Sequence, residues 1–103
     1  MKDKIQILTC DKIKEIVQTI APKYDISCVY LFGSYANGSA TENSDFDFRI
    51  VGGNVRSLYD LAAIKLDLEE ALGNSVDVLL TENIRDSFRE AIKNEEILLY
   101  GKI

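Results

Sequence analysis

Two aspartates separated by one position, Asp45 and Asp47, are the residues best placed to do chemistry. Aspartate is depleted in β-strands, yet both lie in a stretch where apolar and polar residues alternate. Because alternate strand residues point the same way, both carboxylates are expected on one face. Two such charges about 4 Å apart would repel by roughly 4 kcal/mol at an effective dielectric near 20. Either water screens this repulsion on an ordinary exposed face, or a cation makes the pair a metal site.

A third carboxylate favours the metal site. Asp77 stands between Val76 and Val78 in another predicted strand, and by alternation it points away from both valines. If the two strands are neighbours, Asp77 joins Asp45 and Asp47 on one face. Three converging carboxylates offer the hard oxygen ligands that Mg²⁺ prefers, and they could hold two ions about 3.5–4 Å apart for nucleotidyl transfer. The alternative is a lone carboxylate at the sheet edge.

Gly33 and Ser34 end an earlier predicted strand and indicate a phosphate-binding turn. Glycine allows a tight turn and a close approach of the backbone to a ligand. A helix that begins at Ser34 would offer its free N–H groups and the serine hydroxyl to a phosphate. A Gly-Ser pair alone is a weak signal, because most such pairs mark ordinary turns. Ten residues separate Ser34 from Asp45, so adjacent elements could supply the phosphate site and the metal ligands.

Hydrophobic periodicity predicts the elements that position these residues. Helices are expected over residues 11–21, 55–72 and 84–94, strands over 26–32, 45–51 and 75–80, a short helix and loop over 34–44, and a packed apolar tail over 97–100. Pro22 is expected to end the helix over residues 11–21, and Gly73 is expected to cap the helix over residues 55–72. The helical crossover between the second and third strands favours a parallel connection, whereas the shorter link before it allows an antiparallel one. The predicted fold is α/β (α+β), a small mixed sheet with flanking helices.

Size and composition narrow the class of protein. The 103 residues predict one domain, residues 1–103, and the 47% hydrophobic content excludes a disordered chain. The net charge of −5 argues against a nucleic-acid binder, because such proteins usually carry a basic surface that neutralises phosphates. A nucleotide could still bind, but metal ions would have to offset its repulsion from the acidic chain. The absence of histidine argues against zinc and Ser-His-Asp sites. No apolar signal or membrane-spanning segment is present, which predicts a soluble cytoplasmic protein without a membrane partner.

The spacing of these residues resembles that of a known group of enzymes. Gly33-Ser34, ten residues and Asp45-Phe46-Asp47 are similar to the signature of the DNA polymerase beta-like nucleotidyltransferase superfamily. The stretch LFGSYANGSATENSDFDF resembles its minimal nucleotidyltransferases, or MNT domains. The resemblance covers roughly residues 11 to 100 and implies a polymerase beta-like nucleotidyltransferase fold.

The resemblance also implies roles for individual residues. Asp45 and Asp47 would bind two Mg²⁺ ions that carry ATP, and Gly33 and Ser34 would hold its phosphates. Asp77, in Ser75-Val76-Asp77-Val78, matches the family's third carboxylate by context and would be a ligand and base. The catalytic and metal residues are thus predicted to be Asp45, Asp47 and Asp77.

Many MNT proteins are antitoxins paired with a HEPN-type toxin ribonuclease, and some silence it by moving AMP from ATP to a toxin tyrosine. The resemblance therefore implies a Mg²⁺-dependent protein adenylyltransferase that forms a hetero-oligomer with such a toxin. The alternative is a binding module of the same fold that neutralises a toxin by contact. One departure is Asn37, where the family commonly has arginine in Gly-Ser-Tyr-Ala-Arg-Gly. The change loses a positive charge but leaves the three carboxylates intact.

Overall fold

The computed structural model describes residues 8–52 and 58–101. The helices and strands follow the predicted order, with one strand more than expected. In chain order they are α1 (Cys10–Ile20), β1 (Cys28–Phe32), α2 (Ser34–Asn37), β2 (Phe46–Val51), α3 (Leu58–Leu72), β3 (Val76–Leu80), α4 (Asp86–Ile92) and β4 (Ile97–Tyr100). Short 3₁₀ turns occupy Ala21–Tyr24 and Thr81–Asn83. The part of the predicted third helix over residues 55–57 lies outside the described residues.

The four strands form one mixed sheet in the order β3-β2-β1-β4. Strand β1 runs antiparallel to both β2 and β4, whereas β2 and β3 are parallel, as the connection lengths predict. Residues 97–100 pack on the body as expected, with Leu99 in the core, but the expectation that they form only a tail was wrong. They form β4, and Leu98 is the register partner of Tyr30. Four residues are too few to show a strand period, so the sequence signals only their apolar character.

One face of the sheet carries the main core. Phe46, Phe48 and Ile50 alternate along β2 and are all almost completely buried. They belong to one cluster with the buried side chains of α1 and α3, which include Ile13, Val17, Ile20, Ile64 and Leu68. The spacing of the α1 residues puts them on one side of the helix, and burial of this side against the sheet stabilises both elements.

The ends of two helices agree with the turn residues in the sequence. Helix α1 gives way at Ile20 to a 3₁₀ turn with Pro22 near its start, so proline tightens the chain there rather than ending it abruptly. Gly73 follows α3 with a φ of +78°, and its N–H donates to the Glu69 carbonyl at 2.8 Å. This is the C-terminal glycine cap that the sequence predicts. Within residues 8–52 and 58–101, no helix combines the length and apolar character needed to cross a bilayer.

The opposite face of the sheet carries polar side chains and is partly covered by α4. The register makes Phe32 the partner of Asp47 and Tyr30 the partner of Arg49, so all four side chains lie on this face. Phe88 of α4 meets Phe32 edge to face, with ring centroids 5.7 Å apart. Helix α4 therefore lies beside the end of β1, and the candidate site occupies the part of this face next to it.

Candidate active site

The sheet register brings the predicted carboxylates together. Asp47 in β2 is the direct register partner of Asp77 in the parallel strand β3. Asp45 stands immediately before β2 and is exposed, as is Asp77, while Asp47 is half-buried. The prediction that the two strands are neighbours is confirmed, and with it the shared face of Asp47 and Asp77. Their roles as ligands and catalytic groups remain predictions.

Asp47 is the electrostatic centre of this cluster. Its pKa is raised from 3.8 to about 6, chiefly because burial penalises the charged form. The negative charges of Asp77 and Asp45 raise it further, as does a side-chain hydrogen bond with Asp77. Both neighbouring carboxylates therefore disfavour the charged form of Asp47, and a cation bound among the three would relieve this repulsion.

Glycine at position 33 makes room for the Asp47 carboxylate. Gly33 has a φ of +77°, a conformation that residues with a side chain rarely adopt. A Cβ at this position would overlap Oδ2 of Asp47 and lie only 3.1 Å from its Cγ. The predicted phosphate-binding turn therefore touches the carboxylate cluster directly.

An aromatic contact holds the short helix α2 against β2. The ring of Tyr35 stacks on that of Phe46, with centroids 4.1 Å apart and planes 15° from parallel. Phe46 lies between the two aspartates in sequence, so this buried contact fixes the turn relative to both. The N–H groups of Ala36 and Asn37 donate to the Gly33 carbonyl. The amides of Ser34 and Tyr35 precede these bonds and so are not used by the turn itself.

Arg49 lies on the same face of β2 as Asp47, but its guanidinium is already bonded to other side chains. Its Nε and Nη2 donate to the two oxygens of Glu96 at 2.5 and 2.9 Å, and its Nη1 donates to Oγ1 of Thr81 at 2.6 Å. The guanidinium also lies over the Tyr30 ring, 4.2 Å from its centroid. These contacts commit the guanidinium to an ion pair with Glu96 rather than leaving it free to bind a phosphate.

Asn37 stands where the MNT domains commonly have arginine, and its side chain forms hydrogen bonds within its own loop. Its Oδ1 accepts hydrogen bonds from the N–H and the hydroxyl of Ser39, at 2.9 and 2.6 Å. These bonds span Gly38, whose φ of +87° turns the chain after α2. The residue therefore shapes the loop that follows the Gly33-Ser34 turn and α2.

The donor set suits Mg²⁺ in its chemistry. Carboxylate oxygens are the hard ligands this ion prefers, and Asp47 lies near enough to Asp77 and Asp45 to feel their negative charges. Within the described residues, no three or more acidic, histidine or cysteine side chains are gathered closely enough to hold an ion as they stand. The side chains of Asp45 and Asp77 are exposed, so an ion in solution can reach them.

Asp47→Asn is expected to stabilise the metal-free chain in a pH-dependent way. The folded state favours the neutral carboxyl of Asp47. Protonation of Asp47 therefore stabilises the fold below pH 3.8, and this stabilisation is lost as the pH rises through about 6. Asparagine stays neutral, and we expect a gain of about 1 kcal/mol at pH 8 after allowing for solvent screening.

Thermal melting of both proteins in chelator at pH 4 and pH 8 would measure this difference. The melting temperatures should agree at pH 4, and the variant should melt higher at pH 8. An equal difference at both values would show that ionisation of Asp47 does not destabilise the fold.

Comparison with known proteins agrees with the mixed α/β fold and identifies the class of protein. Residues 11–102 match the family described as polymerase beta, nucleotidyltransferase. The chain belongs to this family and is a nucleotidyltransferase.

Individual relatives place the chain among the smallest members. A Methanocaldococcus jannaschii protein, provisionally named a protein adenylyltransferase, is 36% identical over 90 residues, covering 87% of this chain and 97% of that protein. A solved structure provisionally described as a minimal nucleotidyltransferase has a TM-score of 0.75 and 31% identity, covering 87% of this chain and 95% of that one. The chain is therefore similar to these proteins over almost their whole length.

A third comparison shows a shared fold. One chain from the complex of a tri-AMPylated Shewanella oneidensis HEPN toxin with an MNT antitoxin has a TM-score of 0.71 and 16% identity. The match covers 91% of this chain and 74% of that one.

Sequence reasoning did not identify two groups that hold the site together. Glu96 pairs with Arg49 across 47 positions, and Asn74 bonds to the loop before Asp45. A charged residue between Phe48 and Ile50 was a signal that Arg49 needs a partner, but nothing in the sequence indicated which acid would supply it.

Proposed function

We propose that this chain transfers AMP from ATP to a tyrosine hydroxyl of a HEPN-type toxin and so acts as its antitoxin. The observation that carries the proposal is the meeting of Asp47, Asp77 and Gly33 at one end of the sheet, with Asp45 beside them. The names of the similar proteins support protein adenylylation in particular.

Each site residue has a role in this proposal. Asp45, Asp47 and Asp77 would hold two Mg²⁺ ions, which when bound would offset the negative charge of the triphosphate and of the transition state. The backbone amides at Ser34 and its hydroxyl would bind phosphate oxygens, while the missing side chain of Gly33 lets the nucleotide approach. These residues align the α-phosphate with the incoming hydroxyl.

The transfer itself is a displacement at phosphorus. The acceptor oxygen bonds to the α-phosphorus, the bond from this phosphorus to the bridging oxygen of the β-phosphate breaks, and pyrophosphate leaves. The acceptor's proton passes to a carboxylate oxygen of Asp77. Asp77 suits this task because it is exposed on β3 and is in register with Asp47.

A protein acceptor fits the size and charge of this chain. The described residues supply the sheet face with the carboxylates, while Asp45 and Asp77 remain exposed to solvent. A macromolecular partner would supply the missing wall of the site. The net charge of −5 disfavours nucleic acid as this partner and is compatible with a basic protein such as a ribonuclease. The solved complex that shares this fold pairs an MNT antitoxin with an AMPylated HEPN toxin.

Co-expression with the protein encoded by the neighbouring gene tests the proposal. Mass spectrometry of that protein should show additions equal to whole AMP groups, and peptide mapping should place them on tyrosine. In a purified reaction with ATP, the additions should require Mg²⁺ and disappear in chelator. They should also disappear with Asp47→Asn. If the neighbour neither associates with this chain nor gains AMP, the toxin as acceptor is rejected.

A binding module without efficient catalysis is the second candidate. One observation favours this candidate. Within the described residues, no three carboxylates lie close enough together to hold an ion without some rearrangement. In that case the neighbouring protein would be held and silenced while its mass stayed unchanged, and Asp47→Asn would silence it equally well.

A further inference from the structure

The turn between α3 and β3 is bonded through both its backbone and its side chains. The Ser75 N–H donates to Oδ1 of Asn74 at 2.8 Å, and the Val76 N–H donates to Oε2 of Glu69 at 3.1 Å. Together with the Gly73 cap, these bonds fix the entry to β3. Asp77 follows directly, so the position of its backbone depends on this turn.

Asn74 extends the same turn to the loop that carries Asp45. Its Nδ2 donates to the carbonyl oxygens of Glu42 and Ser44, at 3.3 and 3.2 Å. The Phe46 N–H, on the other side of Asp45, donates to the Ser75 carbonyl at 3.0 Å. The backbone around Asp45 is therefore held on both sides by two adjacent residues of one turn.

This arrangement matters because Asp45 lies outside the regular strand pairing. The β2–β3 register begins with Phe46 opposite Val76, so the sheet alone fixes Asp47 but not the residue before β2. Asn74 supplies the missing link, because it bonds to Ser44 and belongs to the turn that leads into Asp77. The side chain of Asp45 remains exposed and can change rotamer while its backbone stays in place.

We infer that Asn74 is a positioning residue that fixes Asp45 relative to Asp77 for metal binding, an inference that rests on the proposed function. Its side chain bonds to the loop backbone, so it acts through the position of the loop rather than as a ligand itself. Partners of this kind, which orient ligands from outside, typically change metal affinity 10–100-fold when they are removed.

Two substitutions in the full chain separate positioning from simple charge. Asn74→Ala removes the donor and acceptor groups together. Asn74→Asp keeps the acceptor for the Ser75 N–H but places a carboxylate oxygen against the two loop carbonyls. It also adds a negative charge near the site, which by charge alone would strengthen cation binding. Positioning predicts weaker binding in both variants.

The measurement is a titration with Mn²⁺ in the presence of the ATP analogue AMP-PNP, followed by electron paramagnetic resonance of the free ion. We expect both variants to bind Mn²⁺ about tenfold more weakly than the wild type. Tyr24→Phe is the matched control, because it removes a hydrogen bond to Asp67 of α3 away from the loop. This control should keep wild-type affinity, and melting curves should confirm that all three variants are folded.

The outcomes distinguish this inference from the proposed function. The inference is supported if both folded Asn74 variants bind Mn²⁺ more weakly than the wild type while Tyr24→Phe does not. Wild-type affinity in Asn74→Ala, or stronger binding in Asn74→Asp, overturns the positioning role and leaves the metal site intact. An equal loss in Tyr24→Phe also overturns it, because the effect would then be general loosening of the fold. If the wild type itself binds no Mn²⁺, the metal-dependent function fails together with the inference.

Discussion

Asp47→Asn is expected to lower the rate of AMP transfer by about a thousandfold, because loss of a metal ligand removes several kcal/mol of charge stabilisation in the transition state. The fold should remain intact, since asparagine has nearly the same shape as aspartate. Asp47 is the strongest test of the site because it is the half-buried member and is in contact with the Gly33 turn. The measurement is the initial rate of AMP incorporation into the partner at saturating ATP and Mg²⁺.

Glu42→Gln is the matched control for this variant. Glu42 is exposed in the loop before Asp45, and the substitution removes one negative charge as Asp47→Asn does. It is expected to keep at least half of the wild-type rate, because water screens exposed charges effectively. Full activity in Asp47→Asn would refute the assignment of this carboxylate as a metal ligand. A similar loss in both variants would point to overall charge as the cause.

Glu96→Ala is expected to destabilise the chain by about 3–5 kcal/mol, because it leaves the Arg49 guanidinium buried without its counter-charge. The two side chains are only 11% and 5% exposed, so water cannot replace the lost bonds readily. The hydrogen bonds with Glu96 raise the pKa of Arg49, which therefore stays charged in the folded state. Chemical denaturation would measure the loss, and the melting temperature should fall by on the order of 20 °C.

The pair can also be replaced as a unit. In a double variant with methionine at positions 49 and 96, no charge is left unpaired, and we expect a smaller loss than in Glu96→Ala. Glu90→Ala on the exposed surface of α4 is the control and should change stability by less than about 0.5 kcal/mol. Equal stability of Glu96→Ala and Glu90→Ala would mean that the ion pair contributes little.

Much of the site was predictable because it depends on short-range rules. The i, i+2 spacing of Asp45 and Asp47 determines which face they share, and alternation places Asp77 opposite its flanking valines. The glycine at position 33 marks the turn because the required φ is unfavourable for other residues. The long crossover through α3 correctly predicts that β2 and β3 are parallel.

The parts that were not predictable depend on partners far apart in sequence. Residues 97–100 are apolar, but their pairing with β1 is a property of the assembled sheet rather than of those four residues. Arg49 is buried on a sheet face that also carries polar residues, and its ion-pair partner Glu96 lies 47 positions away in sequence. Asn74 looks like an ordinary turn residue until the loop before Asp45 is seen beside it. The preorganisation of the site is therefore less visible in the sequence than its chemistry.

The place of β4 in the sheet also determines when the sheet can be completed during protein synthesis. Strand β1, which leads directly into Gly33, has β2 on one side and β4 on the other. While residues 96–100 are still inside the ribosome, β1 is an open sheet edge and Arg49 has not met Glu96. Such an edge invites pairing with other chains, and joining segments this far apart in sequence is slow. A newly made chain thus completes its sheet, and gains the second neighbour of β1, only after translation has passed Tyr100.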